Sequence, residues 1–263
     1  MIKREFKCNF KSFCLWMGVL IGMFLIVYII YPFIMTDEAM KSIDEMVKTF
    51  PENIMKAFNM DVSSISTTYG WVKSEGLMYM LIVIGLYASN LGYNIVLKEE
   101  YDKTIEYLSF VPVRRNDILT SKIIVGVSYI VLMTVILCLF NFFALLVSSS
   151  FDVKEFLLLS VGPILVGIPL FFINMYIATF TLKPKKSIGI GLSLVLIFYI
   201  ISIVSELSEN VDFMKYFSIY TLADTRNIID TSSLSIICII ISIGLSLLFM
   251  SGVYSRYKNR EFV

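Results

Sequence analysis

Polar and apolar positions along this chain do not alternate at short range; they are sorted into long blocks. Six apolar windows reach or exceed the roughly 18 residues a helix needs to cross a bilayer. They are Phe13–Met35, Leu77–Leu97, Ile123–Val147, Phe156–Leu182, Ser187–Ser205 and Leu234–Tyr254. None contains Asp, Glu, Lys or Arg, so each enters hydrocarbon without the roughly 2.5–3.5 kcal/mol that a charged group costs there. The pattern predicts an all-α integral membrane fold with six transmembrane helices in one polytopic domain, residues 1–263. The polar remainder is a lead-in over 1–12, an outer loop over 36–76, a charged segment over 98–122 and an outer segment over 206–233.

Composition agrees: 57% of the 263 residues are hydrophobic and 16% charged, too apolar for an ordinary soluble domain. The net charge of +1 conceals a strong asymmetry. Fifteen of the 22 basic residues fall on one side of the predicted spans, in the lead-in, the charged segment, the connection holding Lys183, Lys185 and Lys186, and the carboxyl tail. Basic residues near span ends stay in the cytoplasm, so both termini and the charged segment are expected there, in a multi-pass plasma-membrane protein. No separate basic patch suggests nucleic acid. The first window is too long, and lacks the small-residue cleavage site, for a removed signal; it reads as a retained helix. Cys8 and Cys14 lie at the start of that helix and Cys138 and Cys238 inside later spans, so no outer disulfide framework is expected.

Several chemistries are excluded. The chain has no histidine, which removes His-based zinc sites, Ser–His catalysis and histidine proton relays. It has no Gly-x-x-x-x-Gly-Lys-Ser/Thr stretch to cradle nucleotide phosphates. No ionisable residue lies inside an apolar window, where an ion-coupled carrier usually needs one. No metal site and no cofactor are expected in this chain. Energy for uphill movement would have to enter from another subunit.

The charged segment, KEEYDKTIEYLSFVPVRRNDILTSK over 98–122, is the most informative polar stretch. Tyr101, Ile105 and Leu108 fall at i, i+4 and i+7, one apolar stripe of a short helix. Pro112 disfavours helical geometry at Val111 and ends it. Arg114 and Arg115 occupy the turn, and Asn116 is a candidate N-cap, with Asp117 in the first turn, for the helix of the third span. Such a knob fits a groove on a cytosolic partner; it fits equally an interfacial helix lying on anionic headgroups.

Elsewhere the signals are weaker. Thr36 can cap a helix whose apolar face is Met40, Ile43, Met46, Val47 and Phe50, continued by Ile54, Met55 and Phe58: an outer lid, or a helix pair packed on the membrane surface. Phe213, Tyr216, Phe217, Tyr220 and Leu222 either dip into the outer leaflet or form an interfacial belt. Asn90, Asn94, Asn141 and Asn174 are candidates to line a translocation path, or interhelical hydrogen bonds of about 0.6 kcal/mol each. Gly162-Pro163 and Gly167-x-Pro169 should bend the fourth span. Gly85, Gly92, Gly189 and Gly191 permit close helix contact.

The run Glu99-Glu100, Thr104-Ile105-Glu106-Tyr107-Leu108, Pro112-Val113-Arg114-Arg115, Ile118-Leu119 and Ser121-Lys122 resembles the coupling-helix region of ABC-2 type exporter permeases, which likewise lies between the second and third of six spans. It departs from the family pattern at Lys103, where glycine is frequent. The resemblance implies a permease half that pairs with an identical or sister subunit. Two cytosolic ATPase subunits, which hold the ATP and Mg, would dock on the coupling helices. The coupling residues it implies are Glu106, Tyr107, Leu108, Pro112, Arg114 and Arg115, beside the apolar stripe of Tyr101 and Ile105. The lead-in Lys3–Lys11, with Phe6, Phe10 and Phe13 on one side, resembles the family's amphipathic lead-in helix; it also reads as a plain basic anchor. Three function classes therefore stand: an ATP-driven exporter permease moving amphipathic peptide, antimicrobial or lipid-like cargo; a non-transporting immunity or sensor subunit; and, disfavoured by the missing histidine, a membrane enzyme.

Overall fold

The computed structural model describes residues 1–34, 67–101, 114–148, 150–180, 184–207, 209–223 and 233–258, with the single positions 36, 38, 41, 42, 45 and 228. Among these residues every regular element is helical. The long helices are α1 (Ile2–Ile34), α2 (Leu77–Tyr101) and α3 (Arg115–Ser148). They are followed by α4 (Val153–Leu159), α5 (Gly162–Ala178), α6 (Pro184–Leu207) and α7 (Ile236–Lys258). Five segments are long and apolar enough to cross a membrane, and the apolar stretch of α6, Gly189–Ser205, is a shorter sixth. This is an all-α multi-pass membrane fold.

The boundaries differ from the sequence expectation in ways that have causes. The lead-in and the first span form one unbroken helix: neither Gly nor Pro interrupts Lys3–Phe13, and the Asn9 side chain bonds back to the Glu5 carbonyl instead of capping a new helix. Phe6 and Phe13 face inward there, while Phe10 is exposed. The second span begins at Leu77 as expected, but helical structure precedes it: Thr67 caps Thr68–Trp71 by accepting from the Gly70 N–H at 3.0 Å. A π-helical turn, Val72–Gly76, then leads into α2 without a break. The third span begins at Arg115, so Asn116 lies inside the first turn and is not its cap. The Arg114 carbonyl takes that place, accepting from the N–H groups of Asp117 at 3.0 Å and Ile118 at 3.3 Å.

The fourth span splits at the first of its two Gly/Pro sites. α4 ends at Leu159, and α5 restarts at Gly162 with Pro163 in its first turn, where a missing N–H costs nothing. Pro169 stays inside α5. After α6, the 3₁₀ turns Glu209–Phe217 and Tyr220–Ala223 pack against it. Tyr220 and Leu222 turn inward and Phe213, Tyr216 and Phe217 outward. The helix face expected over 40–58 lies outside the described residues.

α5 is the hub, packed chiefly on α2 and also on α7 and α3, while α6 covers another side of α2 and α1 lies along α3. Glycines set the closest approach. A β-carbon on Gly92 of α2 would strike the Phe171 carbonyl oxygen, and one on Gly126 of α3 would strike the Phe171 ring. Gly85 and Gly191 are also in close contact, whereas Gly189 has nothing within 4 Å.

Candidate functional site

The two ends of the bundle are chemically distinct. At one end, α3 turns Lys122 and Tyr129, seven residues apart and so on one face, towards α1 and the end of α2. Lys122 is completely buried. Its Nζ donates to both carboxylate oxygens of Glu99, at 2.6 and 2.8 Å, and to the Ile95 carbonyl. The Glu5 carboxylate of α1 lies 3.9 Å away and is equally enclosed. Two turns deeper, the Tyr129 hydroxyl donates to the Phe6 carbonyl at 2.6 Å, and its ring sits 5.0 Å from that of Phe6 and 4.9 Å from that of Phe13.

Lys98 donates to the Cys8 carbonyl at 3.0 Å, and Arg115 to the Lys258 carbonyl at 3.4 Å. Thr120 and Tyr254 share a 2.7 Å hydrogen bond. The starts of α1 and α3 and the ends of α2 and α7 are thus tied together at this end. They bracket the segment that resembles the coupling helix. Of the residues implied there, Arg114 and Arg115 are exposed and Tyr101 closes α2. Ile105, Glu106, Tyr107, Leu108 and Pro112 lie outside the described residues.

Sequence reasoning missed the buried charges, because Glu99 and Lys122 fall just beyond the apolar windows and read as solvated ends. Two signals were present: Glu5 is the single acid among four basic residues of the lead-in, and Glu99 and Lys122 carry opposite charges next to the two apolar windows that the connection joins.

The four span asparagines are not gathered in one place. Asn141 of α3 accepts from the Tyr28 hydroxyl of α1 at 3.0 Å. Asn174 of α5 is fully buried and donates to Ser89 Oγ of α2 at 2.9 Å. Both join helices. Asn90 and Asn94 bond each other at 2.7 Å and remain part-exposed. They continue a stripe of incompletely buried positions on α2, Ile82, Leu86, Asn90, Asn94 and Lys98, spaced by four. At 3.6 residues per turn this stripe lies between two covered sides. Ser89 and Tyr93 meet Gly191 of α6 on one side; Tyr87 meets Phe13 and Trp16 of α1 on the other.

At the opposite end, Lys73 of the π turn is paired with Glu155 of α4. Asp152 caps α4, accepting from the Lys154 N–H at 2.8 Å, and the Tyr69 and Phe151 rings lie 5.6 Å apart. Burial pushes the Tyr69 hydroxyl above its ordinary range, and the Glu155 carboxylate adds to this. Burial also raises Glu75, against the opposing hydrogen bond from Tyr79. A pocket lined by Phe24, Tyr69, Lys73, Asn141 and Phe156 leaves about 20 Å³ for a water-sized sphere, room for about one water and not for cargo. Among the described residues no group of three His, Cys, Asp or Glu is placed to hold a metal ion.

No curated protein and no solved structure matches the chain. Residues 1–262 match the family model described as ABC-2 family transporter protein. With nearly its whole length covered and with the helical multi-pass architecture described above, the chain belongs to the ABC-2 transporter family, as a membrane permease component of an ABC transporter.

Proposed function

We infer that the chain is one half of an ATP-driven exporter. It would pair with a second permease subunit, identical or sister, and receive energy from two cytosolic ATPase subunits that hold ATP and Mg. The observation that carries this reading is the transporter-family match over residues 1–262 in a chain with no phosphate-cradling motif of its own. The termini and the 98–122 segment face the cytoplasm on this reading, supported by the fifteen basic residues gathered there. Glu106, Tyr107, Leu108, Pro112, Arg114 and Arg115, with Tyr101 and Ile105, would contact the ATPase.

The translocation path is the open stripe of α2 around Asn90 and Asn94. Polar amides in mid-span are poorly placed against lipid, which favours a pore or subunit interface on that side. Asn141 and Asn174 position the helices behind it. A path with amides and no carboxylate suits amphipathic peptide, antimicrobial or lipid-like cargo moved outward better than small ions.

The test is purification of the tagged chain in mild detergent with mass spectrometry of what accompanies it. An ABC ATPase subunit in roughly equal amount is expected. Its absence, under conditions that preserve other membrane complexes, overturns the reading in favour of an immunity or sensor subunit. In the assembled complex, Glu106→Ala with Arg114→Ala should abolish cargo-stimulated ATP hydrolysis; unchanged stimulation removes the segment from the mechanism.

A further inference from the structure

The buried group Glu5–Lys122–Glu99 is enclosed where α1, α2 and α3 meet, away from the Asn90–Asn94 stripe. Its geometry is unequal. The three N–H bonds of Lys122 are taken by Glu99, twice, and by the Ile95 carbonyl. The ends of α2 and α3 that flank the 102–113 stretch are therefore fixed to each other. Glu5 is held differently: it is 4% exposed, and the Lys122 ammonium reaches it across 3.9 Å by charge alone. A buried carboxylate loses heavily if its cation withdraws, so α1 must follow Lys122 or expose Glu5 to water. Tyr129, on the same face of α3, grips Phe6 and Phe13 and makes following the easier course. α1 is also one of the two walls beside the Asn90–Asn94 stripe.

We propose that Glu5 and Lys122 are positioning residues that carry the ATP-driven displacement of the α2–α3 base into α1, so that α1 is the wall that moves against the α2 stripe. Lys122 and Glu99 form the rigid part of this linkage, and Glu5 is the releasable part. The proposal rests on the permease reading above, because only a partner ATPase supplies the displacement.

The experiment uses the permease–ATPase complex in lipid vesicles, with an environment-sensitive fluorophore on the exposed Cys14 of α1 and the other three cysteines replaced by serine. Basal ATP hydrolysis and the fluorescence change on vanadate trapping are read for the parent, Glu5→Gln and Glu5→Asp. Glu5→Gln leaves the Lys122–Glu99 pair intact, so assembly and basal hydrolysis should stay within about two-fold. The fluorescence change should fall at least three-fold, and Glu5→Asp, which keeps the charge, should retain more than half of it. A full fluorescence change in Glu5→Gln, or an equal loss in Glu5→Asp, overturns the linkage. If Glu5→Gln does not assemble, Lys122→Arg provides the second variant, and a lost response there with a retained charge likewise overturns it. A parent chain that recovers no ATPase sinks the permease reading itself, an outcome visible before any variant is made.

Discussion

At the scale of single residues, energy is concentrated where a group has no alternative partner. Lys122 is such a group, fully enclosed against Glu99. Removing one partner of a buried pair typically costs about 3–5 kcal/mol, since it strands the other charge. Lys122→Met should therefore lower the thermal midpoint of the detergent-solubilised chain sharply. Adding Glu99→Gln should restore part of the loss, because one of the two stranded carboxylates is gone while Glu5 remains. Size-exclusion recovery after a temperature series measures both, and a double variant no better than the single would show that the pair is not what Lys122 stabilises.

Glycines offer a parallel contrast. A methyl at Gly92 meets the backbone oxygen of Phe171, which cannot step aside, whereas one at Gly189 meets nothing within 4 Å. Overpacking costs about 1–3 kcal/mol, while Gly→Ala in an open helix position gains up to about 1 kcal/mol. Gly92→Ala should lower the same thermal midpoint and Gly189→Ala should hold or raise it.

At the scale of elements, the helices were legible because a bilayer demands long uncharged runs, and such runs leave little choice of structure. The ends were less so. Thr67–Gly76 reads as loop by its polar residues, yet it is helical because Thr67 supplies a cap and Lys73 an ion pair with Glu155 on α4. Glu155 is distant in sequence, and local composition carries no trace of it. Asn116 is a good capping residue by type, but the helix begins one residue before it, at Arg115. Of the candidate site, the amide pair Asn90–Asn94 followed from a spacing of four, while the Glu5–Lys122 contact, between residues far apart in the chain, did not.

The π turn also carries a pH signature. Burial raises Glu75 above 4.5 in the folded chain. An acid whose folded pKa lies above its unfolded value makes the native state bind more protons, so its destabilising effect is full at neutral pH. It fades as the pH falls through the folded pKa towards 4.5. Glu75→Gln should then be more stable than the parent at pH 7, with the gap closing on acidification. A gap that widens instead would mean that the carboxylate is favoured where it sits.

At the scale of the whole molecule, every step of coupling depends on which end faces the ATPase. The hydrogen bonds of Lys98, Arg115 and Thr120 bring the starts of α1 and α3 and the ends of α2 and α7 to one end. The proposed orientation puts that end in the cytoplasm, and the charge asymmetry supports it because basic residues near span ends are retained there. Cys8 is exposed at that end, and the other exposed cysteine, Cys14, lies deeper along the same helix. With Cys8 as the single remaining cysteine, a membrane-impermeant maleimide should label inside-out vesicles and leave intact cells unlabelled. Insertion in the opposite sense would reverse the result, and the segment between α2 and α3 would then face outward, beyond the reach of any cytosolic ATPase. Labelling from the cytoplasmic side instead places Lys122, the open stripe of α2 and α1 in series between the energy source and the outer leaflet.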